Sequence, residues 1–181
     1  MKILRYSDQK ANNFKELYQL CDVLVTTGDL SIFDFGELRD KEKLSRKPAF
    51  GVYGNHDSGE YLENLGINNL HKKIVEYGGM KWGGFQGCLK YKNSDLMYTE
   101  EDAKEFADNF PAVDVLLLHA GPLNMLDDPT DSIHIGSENI RRYVLRARPK
   151  FVFVGHQYSD DQMEEQGIKI FRTFGARLIK I

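Results

Sequence analysis

Apolar residues in this chain form four short runs with little alternation between polar and apolar positions. Runs of this kind are typical of central strands that are covered on both faces. A further strand is predicted at 2–6. Between the first two strands, apolar residues of 12–20 recur at spacings of three and four, which predicts a helix. The four runs lie at 22–26, 49–53, 113–118 and 151–154.

The rest of the pattern adds hairpins and further helices. Residues 73–85 contain two strand-like segments around Gly78-Gly79, which indicates a hairpin with a tight turn. Residues 168–181 read as a closing hairpin that turns at Gly175. Strands of parallel type combined with hairpins predict two stacked sheets flanked by helices. The additional helices are predicted at 34–44, 58–65, 99–109 and 137–146.

Composition narrows the class of protein. The 181 residues suit one domain, 1–181. The net charge of -3 does not indicate a nucleic-acid platform. Cys21 and Cys88 form no CxxC pair, which favours reduced thiols, and no apolar run approaches the roughly 20 residues that span a membrane. We therefore expect a soluble, cytoplasmic protein without a membrane partner.

A metal-ligand side chain follows each of the four apolar runs. Asp29 comes after the first run, Asn55 after the second, His119 after the third and His156 after the fourth. Each alone has an ordinary alternative: a turn aspartate, a left-handed asparagine or a hydrogen-bonded core histidine. Because α/β folds gather ligands at the carboxyl ends of strands, the four together favour one shared site. Carboxylate, amide and imidazole ligands suit Mn²⁺, Fe²⁺ or Zn²⁺ better than Ca²⁺ or Mg²⁺.

These residues belong to a longer ordered set that resembles the calcineurin-like metallophosphoesterases and spans residues 8–156. The resemblance implies an α/β fold, a four-layer α/β/β/α sandwich of two mixed sheets flanked by helices. It also implies a two-metal site that hydrolyses phosphate esters. The motifs are Asp8, Gly28-Asp29, Gly54-Asn55-His56-Asp57, His119 and Gly155-His156.

The resemblance also implies a role for each motif residue. Asp29 would bridge both metals, and Asp8 would belong to one of them. His56 would bind the phosphate or protonate the leaving group, and Asp57 would orient His56 through a hydrogen bond. The residues that complete the other metal's shell would be Asn55, His119 and His156.

Two departures from the family pattern affect the same metal. The family's Asp-x-His is Asp8-Gln9-Lys10 here, and its Gly-His-x-His ends in Tyr158. We interpret this as a centre that binds one ion fully, with the Lys10 ammonium as a built-in cation that offsets Asp8 and Asp29. The alternative is that Lys10 points to solvent, since lysine is rarely buried unless paired.

The combined expectation is metal-dependent hydrolysis of a phosphodiester or phosphomonoester by in-line attack of metal-bound water. One or two ions would bind per chain, Mn²⁺ before Fe²⁺ or Zn²⁺. His56 would donate a proton to the leaving oxygen, and Lys10 would neutralise phosphate charge. The expected partner is a small phosphate ester or a nucleotide, and the sequence is compatible with a homo-oligomer.

The sequence also allows a function other than catalysis. The alternative to an enzyme is a weakly active or non-catalytic interaction module that uses the hairpin surface around Trp82.

Residues 121–136 form a long loop, which in a compact domain is usually functional. It brings His134 close to the predicted helix start at Ser137, where free N–H groups could receive a phosphate.

Overall fold

The computed structural model describes residues 1–35, 44, 46–58 and 60–181. The helix predicted over 34–44 lies almost entirely outside these residues. None of the described helices is long and apolar enough to cross a membrane.

Within the described ranges, the first sheet contains five strands, and three of its four pairings are parallel. The antiparallel pairing joins both ends of the chain, with Lys2 opposite Lys180. In spatial order the strands are β13 (Gly175–Lys180), β1 (Lys2–Ser7), β2 (Val23–Thr26), β3 (Ala49–Gly51) and β4 (Asn68–Asn69).

The second sheet contains six strands among the residues that the structure describes, parallel at its centre and antiparallel at both edges. In spatial order they are β11 (Asp161–Glu165), β12 (Ile168–Arg172), β10 (Phe151–Val154), β9 (Val115–Leu118), β6 (Met80–Phe85) and β5 (Ile74–Tyr77). A separate two-stranded sheet pairs β7 (Cys88–Leu89) with β8 (Met97–Tyr98).

Two of the described helices begin with a side-chain cap at the positions where the sequence predicts their start. Thr99 and Asp102 form a capping box, and the Ser137 side chain accepts from the Ile140 N–H. The helices are α1 (Phe14–Leu20), α2 (Tyr61–Asn64), α3 (Glu100–Asn109) and α4 (Glu138–Ala147), with a short 3₁₀ helix at Ile32–Phe35.

Three apolar clusters divide the molecule into layers. Val25, Leu117 and Phe153 belong to the cluster between the two sheets. Phe14 and Tyr18 of α1 belong to the cluster on the first sheet's outer face. The third cluster packs α3 and α4 against the second sheet. This arrangement confirms the predicted four-layer α/β/β/α sandwich. The carboxyl ends of the parallel strands in both sheets lie at the same edge of the sandwich.

The hairpins are distributed differently from the prediction. The Gly78-Gly79 turn is confirmed, with φ of 59° and 73°. The prediction of a closing hairpin over 168–181 is wrong, because β12 and β13 lie in different sheets. The hairpin joins β11 to β12 through Gln166 and Gly167, whose φ values of 54° and 83° give the left-handed turn that matches strand twist.

Trp82 is not available as a surface anchor. Its side chain is fully buried, its Nε1 donates to the Tyr77 carbonyl at 3.0 Å, and its ring packs 5.1 Å from Phe50. The hairpin therefore turns Trp82 toward the first sheet, where burial of its large apolar area stabilises the fold. The exposed hairpin surface that the interaction-module alternative required is not found at this residue.

His71 makes stability depend on pH. Its Nδ1 accepts from the Gln86 N–H at 3.1 Å, and its ring lies 5.3 Å from Phe85. Burial, aided by the charges of Lys72 and Lys73, lowers its pKa from 6.5 to about 4. Between these values the unfolded chain binds a proton that the folded chain does not, so stability falls as the pH is lowered.

We expect His71→Asn, which keeps an acceptor but does not titrate, to lose less stability between pH 6.5 and pH 4 than the wild type. Urea unfolding at several pH values measures this. Parallel stability curves for the two proteins would contradict the assignment.

Candidate metal centre

The five predicted ligands converge at the carboxyl edges of both sheets. Asp8 follows β1, Asp29 and Asn55 follow β2 and β3, and His119 and His156 follow β9 and β10. A cavity of about 390 Å³ opens over this edge. Its lining consists of Asp8, Gln9, Asp29, Leu30, His56, Asp57, Ile133, His134, His156, Tyr158 and Phe174.

The backbone at these strand ends is strained. Asp8, Asp29 and His156 have φ values of 60°, 52° and 66°, in the left-handed region that L-residues rarely adopt. Such residues persist only where the surrounding structure holds them, and they concentrate at functional sites. The sharp turn at each strand end brings the side chain onto the cavity side.

Two glycines of the motifs are required by close packing. A Cβ at Gly54 would overlap the Asp29 carboxylate and the His119 ring, and a Cβ at Gly155 would overlap the Asp8 carboxylate. The glycines therefore let the ligands lie directly against the neighbouring backbone, which explains the Gly before Asn55 and before His156.

Hydrogen bonding fixes the tautomer of His119. Its Nδ1 lies 2.6 Å from the Thr27 carbonyl oxygen. Since a carbonyl only accepts, Nδ1 must carry the proton and Nε2 must present its lone pair. His119 Nε2 lies 2.8 Å from Asn55 Oδ1 and 3.5 Å from Asp29 Oδ2.

His156 is fixed in the complementary way. Its Nε2 donates to the Ile133 carbonyl at 2.8 Å, which leaves the lone pair on Nδ1. Nδ1 lies 3.1 Å from His119 Nε2. The Asn55 amide is also oriented, because its Nδ2 donates to the Tyr91 hydroxyl at 3.1 Å and its Oδ1 faces His119.

Acceptor atoms of Asn55, His119 and His156 thus converge without a proton between them. Burial lowers the pKa of His119 to about 4 and that of His156 to about 3, so neither imidazole is protonated at neutral pH. The Asn55 oxygen and the lone pairs of the two neutral imidazoles repel one another unless a cation lies among them. The donor set therefore fits a divalent metal ion, with tautomers fixed as metal-ligating histidines require.

The carboxylates reinforce this need for positive charge. Ligand atoms of Asp8, Asp29 and His119 all lie within 4.8 Å of one another. Burial raises the pKa of Asp8 well above its usual value, and the Asp29 charge adds to this. Burial also raises the pKa of Asp29. A cation between the two carboxylates would reverse both effects.

Asp57 has a different role from the predicted one. Its Oδ2 accepts from the Asp29 and Gly54 N–H groups at 2.9 and 2.7 Å. No hydrogen bond between Asp57 and His56 occurs among the described residues. Asp57 therefore ties the ends of β2 and β3 together. Burial, with the nearby Asp29 charge, raises its pKa to about 6.

His56 and Lys10 differ in their access to the cavity. The His56 N–H donates to Asp29 Oδ1 at 2.9 Å, and its exposed side chain lines the cavity. Lys10 is exposed and is not among the lining residues. Lys10 is therefore exposed, as in the alternative reading, and its role as a built-in cation stays a prediction.

Three positioning groups could not be found from the sequence. They are the Thr27 and Ile133 carbonyls and the Tyr91 hydroxyl. A backbone carbonyl is present at every residue and therefore carries no sequence signal. Tyr91 belongs to 86–98, a segment with no motif that marks it as part of the site.

We expect Tyr91→Phe to weaken Mn²⁺ binding about tenfold, since groups that orient metal ligands have effects of this order. Without the hydroxyl, the Asn55 amide is free to turn its Nδ2 toward the site. Isothermal titration with Mn²⁺ measures the change. Tyr158→Phe removes the same group from the cavity rim and is the matched control; equal affinities in both variants would count against orientation by Tyr91.

Fold and ligand arrangement together define a metallophosphoesterase-type protein. The calcineurin-like phosphoesterase family model matches residues 6–160, and the chain belongs to this family. The family predicted from the ordered motifs is thereby confirmed. No curated protein matches the sequence.

Solved structures extend the likeness in fold. TT1561 of Thermus thermophilus has a TM-score of 0.65 at 16% identity, over 94% of this chain and 88% of that one. Phosphopantetheinyl hydrolase from Mycobacterium tuberculosis has a TM-score of 0.60 at 14% identity, with the same coverage. A Vps29 mutant from Entamoeba histolytica has a TM-score of 0.51 at 14% identity, over 100% and 86%. At these identities the comparison concerns the fold alone.

Proposed function

We propose that this protein hydrolyses a phosphodiester or phosphomonoester with the help of a divalent metal ion. The observation that carries the proposal is the convergence of Asp29 and Asn55 oxygen atoms with the lone pairs of His119 and His156 beside a cavity. Family membership supports the reaction class.

The four converging residues would hold the ion, and Mn²⁺ suits them, with Fe²⁺ and Zn²⁺ as alternatives. When bound, the ion would supply Lewis acidity toward a phosphoryl oxygen and make water more acidic. On the opposite side the described residues offer the Asp8 and Asp29 carboxylates, whereas Lys10 is exposed and Tyr158 lies at the rim. We therefore infer one tightly held ion and, at most, a weaker second one.

The remaining chemistry belongs to the cavity's own side chains. His56 in its imidazolium form would give a proton to the leaving ester oxygen and become neutral imidazole, a transfer that needs an accessible side chain at the cavity. The cavity volume of about 390 Å³ falls within the range of small-ligand sites, which supports a small phosphate ester or a nucleotide. Cys21 and Cys88 are buried and unpaired, which supports a cytoplasmic location.

Hydrolysis of bis-p-nitrophenyl phosphate and of p-nitrophenyl phosphate tests this function. Turnover is expected with Mn²⁺, should disappear with a chelator, and should fall strongly in Asp29→Asn, which keeps the shape of the ligand but removes its charge. Turnover that persists in the chelator, or is the same in Asp29→Asn, would exclude the proposed mechanism.

A further inference from the structure

The cavity has a second side made of aromatic rings. The His134 ring lies 5.1 Å from the Tyr158 ring at 69°, and the Tyr158 ring lies 6.3 Å from the Phe174 ring at 84°. All three residues line the cavity that contains Asp29 and His56. We refer to His134, Tyr158 and Phe174 as the aromatic wall.

The aromatic wall begins next to the metal centre. The His134 ring lies 5.0 Å from the ring of His156, one of the four converging ligands. The neighbouring Ile133 carbonyl fixes the tautomer of His156. A phosphate at the metal centre would therefore lie close enough for its organic group to reach the aromatic wall.

Hydrogen bonds hold His134 and the Phe174 backbone, on either side of Tyr158, in place. His134 Nδ1 lies 2.6 Å from Asp131 Oδ2. The His134 carbonyl accepts from the Gln157 side chain at 3.0 Å, and the Phe174 N–H donates to Asp160 Oδ1 at 3.0 Å. A surface that is ordered before binding loses less entropy when a ligand packs against it.

Tyr158 leaves an unusually large apolar area uncovered. The residue is 75% exposed, compared with 56% for Leu20, the next most exposed large apolar residue among those described. Ile133, at 39%, lines the same cavity. An uncovered aromatic ring beside a cavity gains stability when a ligand covers it.

The charges of the cavity favour stacking over further ionic contacts. Its described lining contains Asp8, Asp29 and Asp57 but no lysine or arginine. A second phosphate on the substrate would find no cationic side chain there. Affinity for the rest of the substrate must therefore come from its contact with the rings.

We propose that the aromatic wall binds a planar aromatic group of the phosphate ester, a nucleobase or a phenyl ring, by stacking on Tyr158. This inference rests on the proposed function, because it assumes that the phosphate lies at the metal centre. It specifies the substrate class as esters that carry a flat ring close to the phosphorus.

Binding of phosphonates, which are not hydrolysed, tests the inference independently of turnover. Mn²⁺-loaded protein is titrated with phenylphosphonate, cyclohexylphosphonate and methylphosphonate. Stacking is expected to make phenylphosphonate bind about tenfold more tightly than the other two. Cyclohexylphosphonate has an apolar ring that is not flat, so it separates stacking from general apolar contact.

Variants show which side chains produce the preference for phenylphosphonate. Tyr158→Ala and Phe174→Ala should reduce the phenyl preference, whereas Tyr158→Phe should retain it. Leu20→Ala, which truncates an exposed apolar residue outside the cavity lining, is the matched control. Because Tyr158 is largely exposed, its truncation should leave the melting temperature unchanged, and this is measured in parallel.

An adenine-bearing alkylphosphonate distinguishes the two sources of a flat ring. Tighter binding than phenylphosphonate would assign a nucleobase, and weaker binding a smaller aryl group. Equal affinities for the phenyl, cyclohexyl and methyl compounds, or a preference that survives in both alanine variants, would overturn the inference. Mn²⁺ binding is measured first; its absence would overturn both proposals, whereas hydrolysis without a phenyl preference would overturn the inference alone.

Discussion

Mn²⁺ is expected to raise the melting temperature of the wild-type protein by about 5–10 °C and that of His119→Ala hardly at all. At a hundredfold excess over its dissociation constant, a ligand stabilises the folded state by about 2.7 kcal/mol. For a chain of this size, each kcal/mol corresponds to about 2–4 °C. The shift depends on His119 because its Nε2 lies 2.8 Å from Asn55 Oδ1 and 3.1 Å from His156 Nδ1.

Thermal unfolding with and without Mn²⁺ measures this effect within each protein, so any loss of packing in His119→Ala cancels. His71→Asn is the matched control, since it replaces a partly buried histidine outside the cavity lining and should show the full shift. An equal shift in His119→Ala would mean that the ion binds elsewhere.

Replacing His56 by Ala is expected to lower turnover about 100- to 10,000-fold while the dissociation constant for Mn²⁺ changes little. Losses of this size are typical when a general acid is removed. The His56 side chain is exposed in the cavity and is not one of the four converging acceptors. In this variant, turnover should therefore fall while metal affinity is retained.

Steady-state hydrolysis and Mn²⁺ titration on the same preparation measure the two quantities. Equal loss of both would show that His56 supports the metal centre and does not transfer a proton. Lys10→Ala provides the comparison, because Lys10 is exposed and does not line the cavity. A loss as large as that in His56→Ala would show that Lys10 reaches the phosphate after all.

The parts of the molecule that could be predicted are those in which sequence and local geometry coincide. The runs before Asp29, Asn55, His119 and His156 are apolar because the strands are covered on both faces. Their ends are polar because the chain meets the cavity there. Gly54 and Gly155 complete the pattern, since no larger residue fits beside the ligands.

The parts that could not be predicted depend on contacts between distant segments. β12 and β13 are both good strand sequences, and only packing decides that they enter different sheets. Tyr91 orients Asn55 across 36 residues, with no local pattern that marks it.

The left-handed backbone at Asp8, Asp29 and His156 also affects how the protein would respond to selection for heat resistance. Each non-glycine residue in that conformation costs about 1–2 kcal/mol relative to an unstrained one, and glycine avoids most of this cost. Directed evolution for thermostability in metal-free medium should therefore enrich glycine at these three positions. The most heat-resistant clones would then be those that have discarded these side chains, so such a selection needs metal in the medium to preserve the candidate metal centre.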